Sequence, residues 1–163
     1  MSEDFRSRLE SAIRRGEQRR DRSESDAKRQ ELSAEELKRL HSSLRLSLSD
    51  LIEGKIKSIA DAFPGFRVES MFGDVGWGAA CYRDDLQIAG GKRNNQYSRF
   101  EIVIRPFNSE LKVLDLKGKA TVKNRELFNR TLFRDIAEVD AVEFESVIDA
   151  WTIEYAEQYA ARS

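Results

Sequence analysis

The chain has 163 residues, of which 35% are charged, and its 28 Lys and Arg against 29 Asp and Glu give a net charge of −1. This balance gives no argument, from overall charge, for a nucleic-acid or membrane partner. A single cysteine, Cys81, excludes an intramolecular disulfide and a cysteine-based zinc cluster, and a single histidine, His41, excludes a site built from two imidazoles. No apolar run approaches the roughly 18 residues of a membrane span. With no signal-like stretch at the start either, we expect a soluble cytoplasmic protein with no membrane partner.

The first 32 residues form a charged N-terminal arm. Its apolar positions have helical spacing and are Phe5, Leu9, Ala12 and Ile13. They predict a helix over residues 3–15 that ends or weakens at Gly16. Residues 16–31 contain one apolar side chain, too little to offset the entropy of ordering, so they form a flexible linker or a solvated helix. We therefore expect a mobile arm that is partly helical or disordered.

A second helix follows the arm. Ser33 and Glu36 have the spacing of a capping box, and Pro64 stops the helix. The apolar positions from Leu40 to Phe63 take six steps over 23 residues, about 3.8 residues per step, whereas a coiled coil requires about 3.5. This spacing predicts a helix that docks on a sheet rather than pairing with itself along its length.

Residues 66–122 have the alternating pattern and turn residues of an antiparallel meander. We predict a turn at Asp84-Asp85 and a polar loop over residues 90–96. Residues 125–137 fit either a helix or a strand, and we favour a strand followed by a loop. The final helix is capped by Asp140.

Together these elements predict an α+β fold. An antiparallel β-meander of four to six strands is packed by a long N-terminal helix and a C-terminal helix. Residues 33–163 form this single domain, preceded by the arm of residues 1–32.

A basic stripe is the most suggestive feature of the predicted sheet. If residues 117–125 are extended, their period of two places Lys117, Lys119, Thr121, Lys123 and Arg125 on one face. Loop residues nearby extend the patch, and such a stripe can follow a phosphate backbone. The alternative is an ordinary solvated outer face. The candidate phosphate or nucleic-acid contacts are Lys117, Lys119, Lys123, Arg125, Lys92 and Arg93.

The remaining reactive residues favour structural roles. His41 lies beside the apolar stripe of its helix, and Cys81 lies in a small apolar strand. Residues 73–78 are glycine-rich but lead into a strand rather than the helix that a phosphate loop requires. Asp84 and Asp85 would face opposite sides of a strand and cannot share one metal ion. We therefore predict no catalytic residue, no cofactor and no metal site.

The arm provides the other candidate surface. Between residues 6 and 22 it holds seven arginines and three acidic residues, an excess of 7 − 3 = 4 positive charges. Interleaved acids weaken a nucleic-acid function, whereas the small apolar face favours a protein partner or a contact with the domain's own surface. The alternative is an arm that only solvates the protein and binds nothing. The candidate partner-binding residues are Phe5, Leu9, Ile13, Arg14 and Arg15.

These observations predict a non-catalytic protein–protein interaction module. One alternative is a nucleic-acid-associated protein that uses the basic stripe and the arginine-rich arm. A second alternative is an enzyme whose acid/base cleft is assembled from residues that are scattered in the sequence. The sequence predicts neither the identity of the partner nor the oligomeric state.

Overall fold

The computed structural model describes the backbone of residues 2–162, and their side chains except those of residues 2, 3, 27–32 and 89. The elements are α1 (Ser2–Ala62), β1 (Arg67–Met71), β2 (Trp77–Ala89), β3 (Lys92–Ile104), β4 (Val113–Val122), β5 (Arg125–Asp135), a 3-10 turn (Ile136–Glu138) and α2 (Ala141–Arg162). The five strands form one antiparallel sheet in the order β1-β2-β3-β4-β5. The predicted α+β meander is confirmed.

Two units can be distinguished by their internal contacts, and they are described separately: an N-terminal unit, Met1–Lys38, and a C-terminal unit, Arg39–Ser163. The N-terminal unit is helical. The helix continues past Gly16, and Ser33 lies inside it, so the predicted end at Gly16 and the predicted cap at Ser33 are wrong. Arg, Glu, Gln and Lys are good helix formers, and a glycine inside a helix costs only about 1 kcal/mol. Part of the predicted arm, the side chains of residues 27–32, lies outside the described residues, and its mobility stays a prediction.

In the C-terminal unit, the α1 residues pack on the sheet, as predicted, and Lys55 also forms an ion pair with Asp149 of α2. The buried positions on α1 are His41, Leu48, Ile52, Ile56 and Ile59. The guanidinium of Arg45 lies 4.1 Å from the ring centre of Trp77 in β2. Glu53 accepts a hydrogen bond from Ser70 of β1. Both β residues are on one face of the sheet, which we call the inner face.

Helix α2 covers the same inner face. A Cβ placed on Gly118 of β4 would lie 2.5 Å from the Trp151 ring, so the missing side chain allows α2 to approach the strand closely. The phenol of Tyr155 donates a hydrogen bond to the Thr121 carbonyl. At the start of α2, the Asp140 carboxylate accepts a hydrogen bond from the Val142 amide, which confirms the predicted cap. The opposite side of the sheet is called the outer face.

Strands β2 and β3 extend beyond the rest of the sheet as a two-stranded ribbon. Asp84 and Asp85 lie within β2, so the predicted turn there is wrong. The predicted loop over residues 90–96 shrinks to a turn at Gly90 and Gly91, whose φ values are 61° and 76°. Two such residues fit the tight turn that joins antiparallel strands. Residues 83–89 and 92–98 pair only with each other, and most of their side chains are polar, although Leu86 and Ile88 are exposed apolar residues.

The strand favoured for residues 125–137 is confirmed as β5, which is followed by the 3-10 turn rather than a loop. Among the described residues, no helix has an apolar segment long enough to cross a bilayer.

Candidate functional site

The basic stripe predicted on β4 is shorter than expected. Lys117 and Lys119 lie on the outer face, while Gly118 between them and Ala120 after them are buried on the inner face. The chain then reverses at Lys123 and Asn124, whose φ values are 47° and 71°. These two residues form the turn between β4 and β5, so residues 117–125 are not one extended segment.

The prediction that Lys123 and Arg125 share a face with Lys117 and Lys119 is therefore wrong. The Lys123 Nζ donates a hydrogen bond to the Arg162 carbonyl at the end of α2. Arg125 lies directly opposite Val122, and opposite residues of antiparallel strands share a face, so Arg125 belongs to the inner face.

Lys92 and Arg93 also differ from expectation, because they are the first residues of β3 rather than loop residues. As neighbours in a strand, they point to opposite faces. Register places Arg93 on the outer face and Lys92 on the inner one. Of the six predicted phosphate contacts, the outer face holds Lys117, Lys119 and Arg93.

Charges of both signs alternate on the outer face. Lys119 lies opposite Glu101 in the ladder between β3 and β4. Arg99 pairs with Glu101 at 3.2 Å and with Glu69 at 2.8 Å. A phosphate backbone laid over this face would meet the carboxylates of Glu101 and Glu69 beside Lys119 and Arg99, and this arrangement weakens the electrostatic attraction. Phosphate contact at Lys117 and Lys119 stays a prediction.

The single histidine and the single cysteine both lie in the packed part of the C-terminal unit. His41 is 2% exposed, its Nε2 is 3.2 Å from the Arg105 carbonyl oxygen, and its ring meets Phe107 edge-on. Burial lowers the pKa of His41; the hydrogen bond to the Arg105 carbonyl acts in the opposite direction, and the charge of Arg45 adds to the lowering. Cys81 is fully buried, and burial raises the pKa of its thiol to about 12. Neither group has the exposure that a nucleophile or a general base requires.

Asp115 is the described carboxyl group with a shifted pKa. Burial raises the pKa of Asp115, while the positive charges of Arg105 and Lys117 act in the opposite direction. A raised pKa does not by itself make Asp115 a general acid, because a general acid also requires a cleft that admits a substrate. Within the described part of the chain, no three His, Cys, Asp or Glu side chains gather in a way that would hold a metal ion.

The N-terminal unit carries the other set of predicted contacts. Phe5, Leu9 and Ile13 are 66%, 48% and 53% exposed, although each is a large apolar residue. They follow one another at four-residue steps on one side of the helix, where Ala12 also lies, and we call these four residues the apolar stripe. Every side chain from residue 4 to residue 26 is exposed. The structure therefore brings the predicted apolar contacts together on one exposed face.

Two rows of charge flank the apolar stripe, and the sequence reasoning missed both. An arginine row recurs every seven residues, as does a glutamate row two positions later. The arginine row is Arg8, Arg15 and Arg22, and the glutamate row is Glu10, Glu17 and Glu24. At about 100° per residue, the arginine row lies about 100° to one side of the stripe and the glutamate row about 100° to the other. The repeated Arg-x-Glu spacing was the signal that could have revealed them.

The predicted contacts Arg14 and Arg15 are separated by this geometry. Arg15 belongs to the arginine row, and a groove beside it is lined by Phe5, Arg8, Leu9 and Ala12. Arg14 lies roughly 150° around the helix from the stripe. Arg14 therefore lies on a different side of the helix from the stripe, because adjacent residues on a helix do not share a face, and its contact with a partner stays a prediction.

No model of a known protein family, no curated protein and no solved structure matches this chain. A functional proposal therefore rests on the chain's own residues.

Proposed function

We propose that the chain is a non-catalytic protein–protein interaction module that binds its partner through the apolar stripe of α1. The observation that supports this function is the exposure of Phe5, Leu9 and Ile13 on one side of a helix. Most helices of proteins are stabilised by packing an apolar face against another element. Among the described residues of the N-terminal unit the stripe is not packed in this way, because every side chain from residue 4 to residue 26 is exposed.

The spacing of the stripe fits a known mode of recognition. An amphipathic helix binds a protein groove through apolar residues three, four and seven positions apart. Phe5, Leu9 and Ala12 are separated by steps of four and three residues. The charged rows beside the stripe limit which partner fits, because like charges placed across an interface oppose binding.

The side chains of the C-terminal unit favour a supporting role. His41 and Cys81 are buried in its core. Arg99 is held by two glutamates on the outer face. These groups are used within the unit itself, so this unit is proposed to be the folded body that accompanies the docking helix.

The experiment compares capture of a protein partner by the full wild-type chain with capture by Leu9→Asp. Its matched control is Leu46→Asp, because Leu46 is also an exposed leucine of α1 but belongs to the C-terminal unit. Cross-linking followed by mass spectrometry is expected to identify a protein, which can be a second copy, that Leu9→Asp loses and Leu46→Asp retains. Equal capture by the two variants would rule out the apolar stripe as the docking surface.

Nucleic-acid binding is the second candidate function, favoured by the exposed arginine row. Retention of the full chain on DNA or RNA should then fall steeply with salt and fall further in Arg8→Gln/Arg15→Gln/Arg22→Gln. The glutamate row on the same helix opposes this function.

A further inference from the structure

We infer that the open edge of the ribbon binds an extended segment of a partner protein, which adds to β2 beside residues 84–88 as an antiparallel strand. This surface lies in the C-terminal unit and goes beyond the function proposed for the apolar stripe, because it uses backbone groups rather than a helix face. The observation behind it is a row of backbone donors and acceptors on β2 that continues past the end of β1.

The direction of the hydrogen bonds in β3 determines which backbone groups of β2 are free. The Arg105 amide donates to the Asp115 carbonyl beside β3, so the odd-numbered residues of β3 point their amides and carbonyls at β4. The even-numbered residues of β3 therefore point at β2, where they pair with odd-numbered residues, as Phe100 pairs with Cys81. It follows that the even-numbered residues of β2 point away from β3.

Strand β1 covers only the first part of that side of β2. Its pairing runs from Met71 opposite Gly78 to Arg67 opposite Tyr82, and it stops there. Three further residues of β2 point their amides and carbonyls to the same side and are exposed: Asp84, Leu86 and Ile88. Within the described residues, these three donors and three acceptors have no strand beside them.

The other side of the ribbon is already covered. The Asn124 side chain accepts a hydrogen bond from the Tyr97 amide and donates one to the Asn95 carbonyl. The Asn124 amide donates to the Tyr97 carbonyl. The turn between β4 and β5 therefore occupies the β3 side, and the β2 side is the open one.

The spacing of the free groups identifies the chemistry of the occupant. Along one edge of a strand, matching amides and carbonyls recur every second residue, about 6.8 Å apart. A second extended backbone presents its own donors and acceptors at the same spacing, which is how proteins bind peptides by strand addition. A segment that continues the line of β1 runs antiparallel to β2, and about five residues are enough to pair with residues 84–88.

The side chains of this edge favour a particular pattern in the segment. Leu86 and Ile88 are 50% and 71% exposed on the outer face, and an open groove beside Leu86 is lined by Asp84, Arg93 and Asn95. Asp84 lies on the same face and forms no ion pair with the described side chains. Cross-strand pairs prefer apolar beside apolar and opposite charges together. An antiparallel segment therefore reads apolar, any residue, apolar, any residue, then Lys or Arg opposite Asp84.

The long edge of β5 is protected where the edge of β2 is not. A register shift leaves Leu127 as a bulge, and the Arg134 guanidinium donates to the Phe133 carbonyl on the free side of β5. Bulges and charged side chains are the devices by which natural edge strands avoid pairing. The ladder between β2 and β3 runs without a shift through residues 84–88, and the sequence has no proline there.

A synthetic peptide with this pattern tests the inference on the full chain. The probe carries two valines at alternate positions and then a lysine, separated by threonines, with blocked ends and a fluorophore for anisotropy. Methylation of the second valine's amide nitrogen removes a donor aimed at β2, whereas methylation of the next threonine alters an amide that points away. The first change should weaken binding about tenfold or more, and the second about twofold or less.

Variants of the chain test the same edge. Leu86→Pro removes the central amide of the open edge but no bond of the β2–β3 ladder, so it should keep the wild-type circular dichroism and bind the probe about tenfold more weakly. Phe133→Pro is the matched control, because by the same alternation the Phe133 amide faces the open side of β5, and it should bind like the wild type. Asp84→Lys should weaken binding about threefold and regain it when glutamate replaces the lysine of the probe.

Three results would overturn the inference: no saturable binding by the wild type up to about 1 mM peptide, equal binding of the two methylated peptides, or equal binding by Leu86→Pro and Phe133→Pro. If Leu86→Pro does not fold, the two methylated peptides decide the question with the wild-type chain. The apolar stripe is tested separately. Leu9→Asp should bind the probe like the wild type, so a failure of peptide binding leaves capture through the stripe unaffected.

Discussion

The indole ring of Trp151 on α2 occupies the space that a side chain at position 118 of β4 would need. A Cβ on Gly118 would lie 2.5 Å from Cε3 and 2.7 Å from Cζ3 of that ring, much closer than van der Waals contact allows. The ring of Phe128 lies 6.2 Å from the same indole. The close packing of α2 on the sheet thus depends on the lack of a side chain at Gly118.

Gly118→Ala should therefore destabilise the protein by about 1–3 kcal/mol, because the added methyl group forces the indole or the helix to move. Urea unfolding followed by circular dichroism measures the change. The matched control is Gly54→Ala in α1, where an added Cβ meets nothing within 4 Å. This control should stabilise by about 0.5–1 kcal/mol, since it reduces the entropy of the unfolded chain. Unfolding of Gly118→Ala at the wild-type urea concentration would contradict the close packing of Trp151.

Acid should weaken the fold partly through His41. Its folded-state pKa is lowered from 6.5 by burial, so the unfolded chain takes up the proton first as the pH falls. The free energy of unfolding is therefore expected to decrease below about pH 6.5 until the folded-state pKa is passed. His41→Gln cannot titrate there, and the stability difference between wild type and variant between about pH 7 and 5 isolates the histidine. A difference that is flat with pH would show that His41 is not buried as a neutral ring.

The Cys81 thiol should be inert in the native protein. It is fully buried, and its pKa of about 12 leaves almost no thiolate at neutral pH. A thiol reagent such as DTNB is expected to react with the wild type only after unfolding in urea. Ser23→Cys places a thiol on the exposed part of α1 and should react at once, which serves as the control. Stoichiometric reaction of the native wild type would mean that the strand around Cys81 opens readily.

Removal of residues 1–31 should leave the C-terminal unit folded. The described side chains from residue 4 to residue 26 are exposed, so their loss removes little packing. We expect the melting temperature to change by no more than about 4 °C, the shift that about 1 kcal/mol causes in a domain of this size. Leu48→Asp, at a buried position on α1, should lower stability by several kcal/mol in the same assay. A shortened chain without a thermal transition would place the N-terminal unit in the folding core.

The parts of the fold that could be predicted are those with a buried face. Pro64 ends the predicted helix beside the sheet, and Asp140 caps α2 as expected. In both helices the apolar spacing reports which side is packed. Such spacing exists because burial of those positions contributes most of the stability.

The segments that were predicted wrongly lie where few side chains are buried. Asp84 and Asp85 resemble a turn, but they sit in a ribbon whose polar side chains are solvated, and Arg83 pairs with Asp85 at 2.7 Å. The turn at Lys123 and Asn124 lacks a glycine. It is held instead by the Asn124 side chain, which accepts a hydrogen bond from one β3 amide and donates to another β3 carbonyl. Long-range contacts of this kind leave no local pattern in the sequence.

In the candidate site, too, some features could be predicted and others could not. The apolar positions of the N-terminal unit could be found from their spacing, but the grouping of the phosphate contacts depended on a turn that the pattern did not reveal. The seven-residue spacing of the two charged rows is present in the sequence. They were missed because only the total excess of arginine was considered, and not the seven-residue spacing of the arginines and glutamates.

The most direct test of the docking surface is amide hydrogen exchange of the full chain, alone and with the protein that the wild type captures and Leu9→Asp loses. An isolated helix with an unpacked face is only marginally stable, so its amides exchange quickly. Docking through the apolar stripe predicts that exchange in residues 9–22 slows when the captured protein is bound, while exchange in the central strands stays constant. Equally fast exchange of residues 9–22 in both states would contradict the proposal that this face is the docking surface.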